Sequence, residues 1–156
     1  MNYNIRKLRE NERGILVDFL YEAIYIPEGT KAPPKNIVEQ PELQLYTAGF
    51  GKEDDYCFVA ETEGKVVGAV WVRIMNDYGH IDDETPSFAI SLYKEYRGMG
   101  IGTKLMKQML STLKEKGYKK ASLSVQKANY AYKMYLNLGF EVVAENEEEF
   151  IMVKQL

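Results

Sequence analysis

The sequence predicts a single α/β (α+β) domain, residues 1–156, with a mixed and mostly antiparallel central sheet. Two strand patterns, Tyr56–Glu61 and Lys65–Met75, flank Glu63-Gly64, which is typical of a tight hairpin. A strand, a glycine-rich turn, a helix and a second strand follow between positions 87 and 125, which predicts one parallel pair within the sheet. The length of 156 residues suits one domain of ordinary size.

The first third of the chain predicts a short strand at Ile5–Leu8 and two helices. Asn11 is the expected N-cap of the first helix. The apolar residues of that helix recur on one face at helical spacing: Ile15, Leu16, Phe19, Leu20, Ala23 and Ile24. Prolines between Pro27 and Pro34 predict a loop, and Pro41 suits the first turn of a second helix that runs to Gly49.

The last two thirds predict four more strands and two more helices. Ser87–Leu92 is a strand, and the helix after it carries one apolar face: Ile101, Leu105, Met106, Met109, Leu110 and Leu113. Gly117 is the expected end of that helix, and a strand with alternating apolar residues follows at 121–125. A helix over Asn129–Leu138 leads to two strands, Phe140–Val143 and Phe150–Val153, around an acidic turn.

Charge and rare residues exclude several classes of protein. Lys and Arg number 20 against 23 Asp and Glu, so the net charge of −3 disfavours a nucleic-acid partner. Cys57 and His80 are each the sole residue of their type, which excludes a disulfide and multi-Cys or multi-His metal sites, and no metal is predicted. The first residues lack a signal-peptide core, and Val66–Val72 is too short to cross a bilayer, so we predict a cytoplasmic protein without membrane contact.

The glycine-rich turn carries the strongest chemical signal. Gly98, Gly100 and Gly102 leave no side chains where a ligand must approach the backbone closely. The first N–H groups of the following helix, with its dipole, favour an anion such as a pyrophosphate, and Arg97 adds a permanent charge. Gly102-Thr103-Lys104 departs from a Walker loop and from a dinucleotide fingerprint. The alternative is a turn whose glycines merely permit tight packing.

Two segments resemble motifs of the GNAT superfamily of N-acetyltransferases. In Leu92–Gly102, three residues match the family's acyl-CoA pattern Arg/Gln-x-x-Gly-x-Gly/Ala: Arg97, Gly100 and Gly102. Asn129–Phe140 resembles the family's Asn-helix-Tyr-x-x-Leu-Gly-Phe segment. The resemblance covers the chain from Tyr56 onward, and the first fifty residues match the family's two leading helices only in outline.

The resemblance implies a GNAT-like sheet with helices on both faces and a splayed strand pair, Ser87–Leu92 and Lys120–Val125. Acetyl-CoA is the implied co-substrate, and its pantetheine arm would enter the splay. The residues implied to bind it lie on the central strand, the glycine turn and the later helix: Ile90, Ser91, Leu92, Arg97, Gly98, Met99, Gly100, Ile101, Gly102, Thr103, Asn129 and Tyr135.

The resemblance also implies how the reaction proceeds. Tyr135 occupies the family's general-acid position, where a phenol protonates the departing thiolate; the alternative is a core tyrosine. Glu84 is the candidate general base, with a solvated turn as the alternative, and a water chain or a neutral amine would make a base unnecessary. Asn129 either binds the cofactor or caps its helix. Tyr21 and Tyr25 lie where the family's acceptor pocket is walled.

Three functions remain open. The first is an acetyl-CoA-dependent N-acetyltransferase, which moves an acetyl group to a small-molecule or peptide amine by direct attack. The second is a non-catalytic acyl-CoA-binding or regulatory module on the same fold, because a fold does not guarantee chemistry. The third, a nucleotide-dependent kinase-like enzyme, is disfavoured by the position of Lys104. The resemblance also suggests a homodimer.

Overall fold

Seven strands form one sheet in the computed structural model, which describes residues 1–156. The strands are β1 (Asn4–Lys7), β2 (Tyr56–Thr62), β3 (Lys65–Arg73), β4 (Ser87–Leu92), β5 (Lys120–Gln126), β6 (Glu141–Glu145) and β7 (Glu149–Gln155). The helices are α1 (Ile15–Ala23), α2 (Pro41–Gln44), α3 (Ile101–Glu115) and α4 (Ala131–Asn137). None of these helices is long and apolar enough to cross a membrane.

The sheet has the order β1-β2-β3-β4-β5-β7-β6 and is antiparallel at every pair except β4 and β5. The predicted hairpin turn is confirmed, with φ of 51° at Glu63 and 76° at Gly64. Positive φ at both central residues matches the right-handed twist of the flanking strands. The single parallel pair that the strand-helix-strand pattern predicts is therefore β4 with β5.

The parallel pair is splayed, as the family resemblance implied. Only Ser87 and Ser122 face each other in register across β4 and β5. The N–H of Ser122 donates to Pro86 O at 2.9 Å, and beyond this point β4 continues to Leu92 without a partner on β5. The sheet therefore opens into a V whose vertex is at Ser87.

Helices cover both faces of the sheet, and each face has its own apolar core. On one face, α3 and α4 pack with the sheet in a cluster of 18 buried residues that includes Leu105 and Phe140. On the other face, α1 and the segment around α2 form a cluster of 8, with Leu16 and Trp71 fully buried. Side chains alternate between faces along a strand, so β4 serves both cores.

Two details of the N-terminal third differ from the prediction. Asn11 does not cap α1: it lies in a 3-10 turn at Glu10–Glu12, because the Glu12 carboxylate accepts bonds from Arg6 and from the N–H of Arg9. A second 3-10 turn, Lys35–Glu39, precedes α2.

The second helix is also shorter than predicted, ending at Gln44 instead of Gly49. Two side chains from β3 bind the carbonyl oxygens that follow it. Trp71 donates its indole N–H to Tyr46 O at 3.0 Å, and Arg73 donates to Leu45 O and Ala48 O. The carbonyls that would continue the helix are thus held by tertiary contacts.

Candidate active site

The glycine-rich turn joins β4 to α3 in a conformation that glycine favours. Gly98 and Gly100 have φ of 78° and 84°, where an L-residue costs about 1–2 kcal/mol. No heavy atom lies within 4 Å of a Cβ placed at either residue, so the turn borders open space. A Cβ at Gly102 would lie 3.7 Å from Leu92 Cδ1 and 3.7 Å from Met134 Sδ. The turn therefore leaves its backbone open at the start of a 15-residue helix.

The side chains of the turn divide between structure and solvent. Arg97 is exposed, and it donates from Nε to Leu92 O at 3.0 Å and from Nη2 to Glu22 O at 3.3 Å. Other guanidinium donors stay free for an anion. Met99 is 53% exposed, whereas Ile101 is fully buried, so Ile101 presents only its backbone to the turn. Thr103 is half-buried on the first turn of α3.

The open edge of β4 is set by the alternation of its backbone. The N–H of Tyr93 donates to Val67 O, so odd-numbered residues direct their backbone groups toward β3. Ile90 and Leu92 consequently direct theirs into the opening between β4 and β5. Ser91 does the reverse, and its hydroxyl donates to Phe19 O at 2.6 Å on the α1 face. Of the three predicted strand residues, two therefore border the opening with their backbone.

Tyr135 lies on the α3/α4 face in the same cluster as Phe88. Its ring meets Phe140 edge-on at 6.0 Å between centroids, and only 7% of the residue is exposed. Burial raises the pKa of the phenol well above its usual value, so the hydroxyl keeps its proton at neutral pH. The hydroxyl has no hydrogen-bond partner within the protein, and it is not cut off from solvent.

Asn129 holds the start of α4. Its Oδ1 accepts the N–H of Ala131 at 2.9 Å, and its own N–H donates to Gln126 O. The side-chain oxygen thus satisfies one of the N–H groups that a helix start leaves unpaired. This contact is the capping role that the sequence offered as the alternative to cofactor binding.

Glu84 is exposed in a turn immediately before β4. Its N–H donates to Asp82 Oδ1 at 2.9 Å, and its carboxylate makes no ion pair or hydrogen bond. Asp82 is the organised carboxylate of that turn, accepting Thr85 Oγ1 at 2.7 Å and facing Lys120 Nζ at 3.5 Å. Contacts from Thr85 and Glu84 lower the pKa of Asp82.

A half-buried polar network at the vertex of the V was missed by the sequence interpretation. Asp77 accepts the Tyr46 hydroxyl at 3.1 Å on Oδ2 and the Ser87 hydroxyl at 3.2 Å on Oδ1. The Ser122 hydroxyl donates its proton to Gly79 O at 2.8 Å, and its oxygen lies 3.1 Å from the Ser87 hydroxyl oxygen. The only available signal was a carboxylate in the polar connection between β3 and β4, which no local pattern distinguished from its acidic neighbours.

A comparison with models of known protein families identifies the family of this chain. The model of the Acetyltransferase (GNAT) family matches residues 20–140. The chain belongs to the GNAT acetyltransferase family. The match includes both motifs that carried the resemblance, the glycine turn and the helix of Tyr135.

Individual relatives agree with the family. An N-alpha-acetyltransferase of Sulfurisphaera tokodaii is 30% identical over 130 residues, which cover 73% of each chain. The probable N-acetyltransferase camello of Xenopus tropicalis is 35% identical over 92 residues, or 56% of this chain. Human N-acetyltransferase 8B is 28% identical over 113 residues, or 71% of this chain. This chain spans only 40% of the camello protein and 50% of the human one.

Solved structures share the fold along the whole chain. The PaiA N-acetyltransferase of Thermoplasma acidophilum, crystallised with coenzyme A, superposes with a TM-score of 0.74 at 22% identity, covering 100% of both chains. The ribosomal-protein-S18-alanine N-acetyltransferase of Escherichia coli gives 0.70 at 16% identity, covering 99% of this chain and 94% of its own. The predicted α/β architecture with its splayed pair is thus confirmed.

Proposed function

We propose that this GNAT-family chain is an acetyl-CoA-dependent N-acetyltransferase that moves an acetyl group to a primary amine by direct attack. The observation that carries the proposal is the opening between β4 and β5. The two strands pair only at Ser87 and Ser122, and the opening adjoins the glycine turn. A buried backbone amide without a partner is costly, so a ligand that carries amides gains affinity in the opening.

The residues present fit such a ligand. Backbone groups of Ile90 and Leu92 border the opening, where the two amides of pantetheine would pair with them. The space over Gly98 and Gly100, where no heavy atom lies within 4 Å of a Cβ, fits the pyrophosphate. Gly102, Ile101 and Thr103 would contribute the backbone of the first turn of α3. Arg97 and Met99 would lie on the solvent side of the phosphates.

Tyr135 is the proposed general acid. A buried phenol that keeps its proton at neutral pH can donate a hydrogen bond to the departing sulfur. Its hydroxyl has no protein partner to give up first. The bound acetyl thioester supplies the electrophilic carbonyl carbon, and the N–H of Leu92 is the proposed donor to its oxygen. Ser91 ties β4 to α1 through its bond to Phe19 O, and Asn129 holds the start of α4.

The acceptor is a small-molecule or peptide amine in this proposal. One relative is named an N-alpha-acetyltransferase, and one protein of the same fold is named for an alanine of ribosomal protein S18, which supports a peptide acceptor without selecting it. Glu84 remains the sequence-based candidate for the base. A cytoplasmic location and a homodimer stay predictions, the first supported by the lone free cysteine, Cys57.

An amine panel tests this function. The purified chain is mixed with acetyl-CoA and, separately, with n-butylamine, 1,4-diaminobutane, Nα-acetyl-lysine methyl ester and short peptides with free N-termini. Release of CoA thiol that depends on one of these amines supports the acetyltransferase. Stabilisation by acetyl-CoA in a thermal melt without thiol release for any amine supports a non-catalytic acyl-CoA-binding module instead. Stabilisation by ATP alone would contradict both.

A further inference from the structure

Asp77 lies at the point where the sheet opens and on the face opposite Tyr135. The Ser87 hydroxyl donates to it, and Ser87 is the last β4 residue that pairs with β5. The Ser87 side chain lies on the α1/α2 face, because neighbouring Phe88 belongs to the α3/α4 core. On the opposite face, Tyr135 meets Phe140, and Phe140 meets Phe88, the β4 residue next to Ser87, each at 6.0 Å between ring centroids, so Tyr135 lies two ring contacts from the vertex.

The Asp77 carboxylate is organised by hydrogen bonds but forms no ion pair. Each oxygen accepts one hydroxyl, at 3.1 Å from Tyr46 and 3.2 Å from Ser87, and keeps capacity for a further donor. None of the six ion pairs in the structure includes Asp77. Carboxylates with limited exposure are normally paired with a positive charge. An ammonium group arriving from the α1/α2 face would supply that charge.

We propose that Asp77 binds the ammonium group of the acceptor and receives its proton, and is thus the general base in place of Glu84. This inference rests on the proposed acetyltransferase function. The hydroxyls of Tyr46 and Ser87 fix the carboxylate at the vertex. Glu84, by contrast, lies on an exposed turn and has no contact that orients its carboxylate.

The proton and bond balance is complete without another reactant. Asp77 takes one proton from R–NH3⁺, which leaves a neutral amine with a free lone pair. The C–N bond forms as the C–S bond of the thioester breaks. The nitrogen loses a second proton on becoming an amide. Tyr135 gives its proton to the CoA sulfur and is reprotonated by the second proton from nitrogen, while the first proton reaches solvent from Asp77.

The electrostatic surroundings favour this role. Burial raises the pKa of Asp77, opposed by the hydrogen bonds from Tyr46 and Ser87 and by the nearby His80. Burial also raises the pKa of Glu149, and the negative charge of Asp77 adds to this increase. Burial and Asp77 raise the pKa of Tyr46, which therefore stays a neutral donor. A carboxyl whose pKa moves toward neutrality is a better base than an ordinary one.

The test compares Asp77→Asn with Glu84→Gln and with a matched control, Asp83→Asn. The Asp83 side chain is 97% exposed in the same connection and contacts only His80 Nε2, at 3.4 Å, so its variant removes the same charge without removing a hydrogen bond to Asp77. For the best amine of the panel, we expect Asp77→Asn to lower kcat/KM about 10²–10⁴-fold at neutral pH. Raising the pH toward the ordinary ammonium pKa of about 10.4 should restore most of the loss, since the amine then arrives neutral.

Two further readouts separate this role from a structural one. An alkylamine whose ammonium loses its proton below neutral pH needs no base, so Asp77→Asn should acetylate it nearly as fast as the wild type. Calorimetry without acetyl-CoA should show 1,4-diaminobutane binding about 10-fold or more weaker in Asp77→Asn, and unchanged in Asp83→Asn. Tyr46→Phe, which keeps the carboxylate, should lower kcat/KM by less.

The outcomes are distinct. Equal loss for cationic and weakly basic amines, unchanged diamine binding, or a loss confined to Glu84→Gln would overturn the role of Asp77. If the wild type releases no thiol with any amine, the proposed function itself fails. In that case, diamine binding that depends on Asp77 would still distinguish an ammonium site from none.

Discussion

The two faces of the sheet are built from different interactions. The α3/α4 face is a continuous apolar cluster of 18 buried residues, and Tyr135 is the one buried titratable side chain within it. The α1/α2 face has a cluster of 8, and its periphery is tied by polar side chains such as Arg73 and Asp77. Under the proposed function, the co-substrate is bound through backbone groups, which an apolar face allows, whereas the amine is bound by side chains that carry charge.

The largest expected effect lies on the α3/α4 face. Tyr135→Phe removes only the hydroxyl, and the ring keeps its packing against Phe140. We expect kcat to fall about 10²–10⁴-fold, because a general acid contributes that much. The dissociation constant for CoA, measured by calorimetry, should stay within a factor of two to three (~0.5 kcal/mol). Tyr132→Phe, one turn away on the same helix, is the matched control.

An unchanged turnover in Tyr135→Phe would show that the phenol is only a core residue. That result would leave the α3/α4 face as a binding surface without catalytic side chains, and it would sharpen the contrast with the opposite face.

The next effect concerns how the α1/α2 face is held. Arg73 and Asp55 pair at 3.1 Å, with side chains 7% and 4% exposed, and Arg73 also donates to Leu45 O and Ala48 O. Asp55→Asn leaves a buried charge unpaired, so the free energy of unfolding should fall by about 3–5 kcal/mol in urea titrations. Because Arg73 fixes the segment that carries Tyr46, KM for the amine should also rise.

Leu105→Ala is the counterpart on the other face, where Leu105 is fully buried. Its loss should be about 2–5 kcal/mol, from transfer and cavity terms, with KM for the amine unchanged. A rise in amine KM in both variants, or in neither, would contradict the division of labour between the faces.

The smallest effect separates backbone strain from ligand binding at the two ends of α3. Gly100 and Gly117 have φ of 84° and 91°, and no heavy atom lies within 4 Å of a Cβ at either. Alanine at each should cost about 1–2 kcal/mol of stability. Only Gly100→Ala should weaken CoA binding, measured by calorimetry, because only Gly100 borders the proposed pyrophosphate site. Equal CoA affinity in both variants would remove the turn from that site.

Local sequence patterns predicted most of the fold because each depends on a few neighbouring residues. β4 runs over Ser87–Leu92 as predicted, and Gly117, which has positive φ, follows α3 as predicted. The predicted end of α2 at Gly49 was wrong because Trp71 and Arg73, more than 20 positions away, donate hydrogen bonds to the carbonyl oxygens that follow Gln44. The prediction of Asn11 as the N-cap was wrong because the Glu12 side chain, bound by Arg6 of β1, holds residues 10–12 in a 3-10 turn.

The sequence by itself determined the glycine turn, the helix of Tyr135 and hence the family, since both motifs lie within continuous segments. Only the tertiary structure decided where Asp77 lies. Its network joins residues that are 31, 10 and 35 positions apart, far beyond any helical or strand period. A carboxylate in a polar loop looks solvated in one dimension, and it becomes a half-buried acceptor only when Tyr46, Ser87 and Ser122 fold around it.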